Sequence, residues 1–230
     1  LGSFASGLVT GTRNPALLGG VIAELEAVAD SVPPGKTRWS LRTYLADAIA
    51  SSGRPDRSLT FYEQAASEAE AAGDWQDVGA ITGNWANALR DVGALDKAKE
   101  TFLKSAEAFK KGGSPKIEII SCELDALRVD VFKGAAEDAL GEIESRLNLI
   151  RNWWSSHKNG ETVPEAPEPV FLGRALVSGL DIAKNANQRL ENWEASLSLL
   201  KENEQTKRET GQGRHELSRT RFNQYWPLMK

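Results

Sequence analysis

Few residues of this chain could do chemistry, and most of them fail on spacing. Pro33-Pro-Gly-Lys-Thr37 ends as a phosphate-cradling loop ends, but that loop needs a glycine five residues before Gly35, and position 30 holds Asp30. Such a loop also follows a strand, whereas the preceding segment has helical periodicity. It reads as a turn joining helices. His157 and His215 have no Cys or His at metal-ligand spacing, and no Gly-x-Ser-x-Gly supports a serine nucleophile. The lone Cys122 lies in Ile119-Ile-Ser-Cys-Glu-Leu124, the setting of a buried small hydrophobe rather than a reactive thiol. No catalytic group, metal or cofactor is expected, and the chain is read as a non-enzyme.

Recognition chemistry remains. Asn84 and Asn87 stand i and i+3 and so share one helix face. Together they mark a candidate groove for an extended peptide or helix. Arg90 continues that face and adds a charge. Seven tryptophans have more than one role. Trp39, Trp85 and Trp193 sit at helical core spacing, where burial is the expected fate. Trp75, Trp153, Trp154 and Trp226 fit no stripe, and the pair Trp153-Trp154, beside a Pro-rich stretch, is a candidate groove cover or protein contact.

Composition narrows the class. With 40 % hydrophobic and 26 % charged residues among 230, the chain has the make-up of an ordinary folded protein. Glu24 interrupts the best apolar stretch, so no membrane span is expected. The absence of a disulfide framework, a signal peptide and any Asn-x-Ser/Thr acceptor points to the cytoplasm, and with Leu1 in place of Met the chain is expected to be a piece of something longer. A net charge of −4 argues against general polyanion binding. The last thirty residues differ: seven basic against four acidic residues give +3, leaving about −7 for the remainder. Arg214, Arg219 and Arg221 therefore mark a candidate contact for an acidic partner or nucleic acid.

The elements that must position these residues are announced by a repeat. Gly53-Arg-Pro-Asp-Arg-Ser58, Gly93-Ala-Leu-Asp-Lys-Ala98, Gly134-Ala-Ala-Glu-Asp-Ala139 and, more loosely, Leu190-Glu-Asn-Trp-Glu-Ala195 align, and Tyr62, Phe102, Ile143 and Leu199 follow at equal distance. The intervals are 40, 41 and 56 residues. Such a period specifies stacked helical hairpins. Asn14-Pro15 and Ser114-Pro115 read as helix starts, with a capping residue before a first-turn proline. An N-terminal segment with one helix, 1–35, precedes a repeat array over 36–230, with repeats near 36–73, 74–112, 114–156 and 167–210. A partial repeat at 214–230 reads as a first helix without its partner. A Pro-rich inserted loop at 155–169 accounts for the long last interval.

In the second repeat Trp85, Ala86, Leu89, Gly93, Leu95, Ala98 and Phe102 fall where the tetratricopeptide repeat (TPR) family places its signature residues. The chain resembles that family over Lys36–Thr210, with Trp85 larger than the usual Leu and Leu190 in place of the fourth turn glycine. Its period near 40 exceeds the family's usual 34 or so, and is similar to the extended repeats of kinesin light chains and of the sensor arms of bacterial signalling ATPases. The resemblance implies an all-α fold, a right-handed superhelical solenoid of antiparallel helix hairpins. It also implies binding of peptides or protein surfaces along the face lined by the first helix of each hairpin. By position that face would contain Tyr44 and Asp47, then Asn84, Asn87 and Arg90, then Asp125 and Arg128. The basic clamp of chaperone-binding members is absent, since Thr43, Ser121 and Asp125 occupy its positions. The expected role is a scaffold that binds a protein, a peptide or another domain of its own polypeptide, as the repeat arm of a larger signalling or regulatory protein. The alternatives are a sensor for a small molecule or peptide that controls an attached effector, and a nucleic-acid contact through the C-terminal basic helix.

Overall fold

A computed structural model of the chain describes residues 15–211 and 214–228, with the side chains at 15–18, 21, 214–216, 222, 225, 226 and 228 outside the description. The described residues form ten helices and no strand: α1 Pro15–Ala29, α2 Lys36–Ser51, α3 Pro55–Ala71, α4 Trp75–Asp91, α5 Leu95–Lys111, α6 Lys116–Lys133, α7 Ala136–Lys158, α8 Pro169–Arg189, α9 Trp193–Glu209 and α10 Arg214–Leu228. The cap at Asn14 lies outside the described residues, and the side chains of Leu17, Val21, Arg214, His215 and Trp226 lie outside the described side chains.

The repeat originates in one recurring corner. Gly53, Gly93 and Gly134 have φ of 83°, 81° and 96°, a left-handed conformation that only glycine adopts without a steric cost. The residue after each glycine donates its N–H to a carbonyl five positions back: Arg54 to Ile49, Ala94 to Leu89, Ala135 to Asp130. This closure satisfies the orphan carbonyls of the preceding helix and reverses the chain. At the fourth corner Asn192 donates to Asn187, and the left-handed residue is Glu191, at φ 59°. The expected alignment on Leu190 is therefore one residue early.

With the corner at Glu191, all four repeats superimpose. Five residues after the corner come Ser58, Ala98, Ala139 and Ser196; nine after come Tyr62, Phe102, Ile143 and Leu200; all eight are 3 % exposed or less. A small side chain lets the paired helices approach, and a large one fills the space above it. A shared hydrogen bond supports this register. Ser105 Oγ donates to the Gly79 carbonyl at 2.6 Å, and Asn203 Nδ2, at the matching place in α9, donates to the Val177 carbonyl at 3.0 Å. The same shift makes Trp193 the first residue of α9, half-buried rather than in the core position expected for it.

The long last interval has three sources, not one. Helix α7 has 23 residues against 17 in α3 and α5, α8 has 21 against 17 in α4, and the connection spans 159–168. The inserted segment thus begins after Lys158, and His157 lies in the last turn of α7 with its ring 5.8 Å from that of Trp154. The segment is packed: Val163 and Ala166 join the core, and the Glu165 carbonyl accepts from the Ile117 N–H at 2.9 Å. That bond satisfies an orphan donor at the start of α6, where Pro115 stands at the cap position with no side-chain cap bond; the cap expected from Ser114 does not form.

The chain divides into two compact units, Leu1–Ser114 and Pro115–Lys230. Helix α1 belongs to the first unit because Ile22 and Leu25 close a cluster with Leu41, Leu45, Ala48 and Ile49 of α2. A second cluster there joins α2, α3, α4 and α5 through Trp39, Tyr62, Ala65, Ile81 and Ala108. Gly79 permits a close approach in this unit: a Cβ there would meet the Phe109 ring at 2.6 Å. The second unit is built on Leu124, Ile143, Leu147, Leu176 and Leu180 from α6, α7 and α8, with Leu199 of α9. In both units each helix packs on its neighbours in sequence, and the first helices of adjacent hairpins also touch, α2 on α4 and α6 on α8.

Candidate partner-binding face

In the first unit the α2–α4 contact is held by polar ties. Lys36 Nζ lies 3.0 Å from Asp74 and 2.9 Å from Asp77, and Trp39 Nε1 donates to Asp77 at 2.8 Å. These ties set the spacing of the candidate residues farther along the two helices.

Asp47 and Asn84, from successive hairpins, meet there. Asp47 Oδ1 accepts from the Tyr62 hydroxyl at 2.6 Å and from Asn84 Nδ2 at 3.4 Å. Burial pushes the Asp47 carboxyl above its ordinary range, while the Tyr62 hydrogen bond pulls the other way. The Tyr62 phenol is pushed up, by burial first and then by the Asp47 charge. Tyr62 therefore has two functions: its ring belongs to the core and its hydroxyl orients Asp47. Asn84 is exposed, and its single long hydrogen bond leaves the amide open to a ligand.

The other candidates are placed differently. Asn87 is half-buried and donates to the Gly83 carbonyl of its own helix at 3.0 Å, the back-bonding common for short polar side chains. Arg90 turns to its neighbour Asp91 at 3.0 Å. Tyr44 packs against the cluster of Leu41, Leu45 and Ile49. In the second unit Arg128 lies 3.0 Å from Asp125 and donates to Ser178 Oγ of α8 at 2.6 Å. The structure thus brings Asp47 and Asn84 together in one unit and Asp125 and Arg128 in the other. Arg221, from the basic C-terminal set, is paired with Glu204 at 2.7 Å.

A cavity of about 270 Å³ opens in the second unit, lined by Arg151, Trp154 and Lys158 of α7, Leu176 of α8, and Glu202 and Glu209 of α9. Its charges answer one another. Arg151 holds both oxygens of Glu202, at 2.8 and 2.7 Å, and Glu209 accepts from Gln205, Trp154 and Lys158, which together hold its carboxyl below the usual range. Trp154 belongs to the core, so the tryptophan pair is not a free cover. The cluster ties α7 to α9. Among the described residues no group of three or more His, Cys, Asp or Glu is placed to hold a metal, and no helix is long and apolar enough to cross a membrane.

No protein-family model matches the sequence, and no curated protein matches it. Solved structures match in shape. A protein of Podosopora anserina, described as a kinesin light chain with nearly identical TPR-like repeats, superimposes with a TM-score of 0.64 at 14 % identity, over 92 % of this chain and 95 % of that one. BtubC of P. vanneervenii gives 0.60 at 13 % identity, over 91 % of both chains. The fold is that of tetratricopeptide-like repeats. A Rap protein in complex with competence and sporulation factor gives 0.53 at 12 % identity, over 92 % of this chain and 58 % of that one. The tetratricopeptide-like reading agrees with the corner geometry, since the small-and-large pairs after each corner are the residues such hairpins require.

Tyr62 was legible in the sequence only as a core residue. Its hydroxyl role depends on Asp47, fifteen positions away, and no local pattern announces it. Ser178, Lys184 and Lys207 also went unread; the last becomes visible only once the fourth corner is moved to Glu191.

Proposed function

We propose that this chain is a non-catalytic binding scaffold whose first unit presents a peptide or protein segment to the first-helix face of α2 and α4. The observation that carries the reading is the meeting of Asp47 and Asn84 from adjacent hairpins, with Tyr62 fixing the carboxylate and the Asn84 amide exposed. A carboxylate acceptor beside an amide that both donates and accepts matches the repeating donors and acceptors of an extended backbone. That a Rap protein of like fold was crystallised with a separate factor supports the reading. On this proposal the chain is an arm of a larger signalling or regulatory protein acting in the cytoplasm.

Selection of peptides from a random display library on the whole chain tests it. Peptides bound by the parent should be lost by Asn84→Ala, with the melting temperature almost unchanged because an exposed substitution typically costs within about 0.5 kcal/mol. Equal retention of the same peptides by Asn84→Ala would remove this face from consideration.

A further inference from the structure

The second unit buries a lysine where the other repeats place apolar groups. Counted sixteen residues from each corner, Lys207 of α9 corresponds to Ala69 of α3, Phe109 of α5 and Ile150 of α7. It is 7 % exposed, and among the described residues its ammonium has one partner, the Thr220 hydroxyl of α10 at 2.9 Å. Lysine is almost never buried without an ionic partner, because removing an ammonium from water costs several kcal/mol. Nothing in packing explains this one.

Its surroundings increase the positive charge. Lys184 of α8, half-buried and without a hydrogen bond or ion pair among the described residues, interacts with Lys207, Arg219 of α10 and Arg128 of α6, and Asp181 is the acidic group near it. Burial first, and these three cations after it, hold the Lys184 ammonium below its ordinary range, with Asp181 acting in the opposite sense. Arg128 spends one nitrogen on Asp125 and Ser178, while its Nε is buried without a partner. Among the described residues, four cations from four helices thus lie within electrostatic reach of Lys184, with two carboxylates, those of Asp125 and Asp181, beside them. Among these groups the unbalanced charge amounts to that of one dianion.

We infer that Arg128, Lys184, Lys207 and Arg219 form a binding site for a phosphate group, free or carried on a larger ligand. The four groups together can give charge-assisted donors on several sides of a tetrahedral oxyanion, and a bound dianion would compensate the buried Lys207. The proposal is independent of the peptide face on α2 and α4, since it concerns the other unit.

Calorimetric titration of the whole chain with inorganic phosphate, with an O-phosphoserine peptide and with an oligoglutamate peptide tests it, at matched ionic strength with chloride as the control salt. Phosphate should bind and raise the melting temperature beyond chloride. A phosphopeptide binding more tightly than phosphate would assign the group to a larger ligand, and the reverse would assign it to free phosphate. Lys207→Met and, on the exposed rim, Arg219→Gln should each weaken phosphate binding tenfold or more. Lys207→Met without ligand should melt no lower than the parent, since the substitution removes an unpaired buried charge. Absence of phosphate binding, tighter binding of oligoglutamate than of either phosphate probe, or unchanged affinity in Arg219→Gln would overturn the site.

Discussion

Asp47 is the residue in which position and titration are most closely linked. Its folded-state pKa lies above the ordinary 3.8 because burial disfavours the charged form. Below 3.8 the group is neutral in both folded and unfolded chains and costs nothing. As pH rises through the unfolded and then the folded value, ionisation comes to oppose folding by a fixed amount. Asp47→Asn keeps an oxygen for the Tyr62 hydroxyl and removes the charge. It should therefore melt higher than the parent at pH 7, and the gap should close as the pH falls below 3.8; a variant less stable at neutral pH would show that the carboxylate is a net stabiliser. Asn84 was legible as a face residue from its i, i+3 spacing with Asn87. That Asn87 instead bonds back to Gly83 was not legible, because rotamer choice depends on what stands opposite the helix.

The hairpin corner determines register at the scale of the element. Three corners use glycine, and the fourth holds Glu191 in the left-handed region, a conformation that costs a non-glycine residue roughly 1–2 kcal/mol. Glu191→Gly should stabilise the chain by about 1 kcal/mol, part of the gain being lost to the freer unfolded glycine, as measured by urea denaturation. A loss of stability would mean that the Glu191 side chain has a role beyond the turn. The off-by-one alignment at this corner has a physical origin. Without a glycine to mark it, Leu190 and Glu191 are equally plausible from composition, and adjacent Leu199 and Leu200 are both buried and satisfy either alignment. The hydrogen bond from Asn192 to Asn187 decides between them.

For the molecule as a whole, the two units each close their own cores. Phe102 is almost wholly buried in the first, and truncating such a side chain costs about 3–5 kcal/mol. Phe102→Ala should lower the hydrogen-exchange protection of α4 and α5 while leaving amides around Leu147 and Leu176 near their parental protection, since repeat stability is summed from neighbouring contacts. Uniform loss across both units would indicate a single cooperative block and contradict the division at Ser114. The tetratricopeptide-like fold was legible throughout the first unit, where glycine corners and aromatic spacers recur every forty residues. The second unit was less so, because its helices lengthen and its inserted segment packs into the core through Val163 and Ala166.

By itself the sequence determined the architecture: glycines able to adopt left-handed backbone at regular intervals, with small and large apolar residues at constant distance after them, permit one local solution, the helical hairpin, and that solution recurs wherever the pattern does. Tertiary structure alone decided which polar groups come near one another. Asp47 with Asn84, and Lys207 with Lys184, Arg128 and Arg219, lie far apart in sequence and on different helices. Their meeting depends on how hairpins stack, a property of side-chain packing between elements that no single helix encodes.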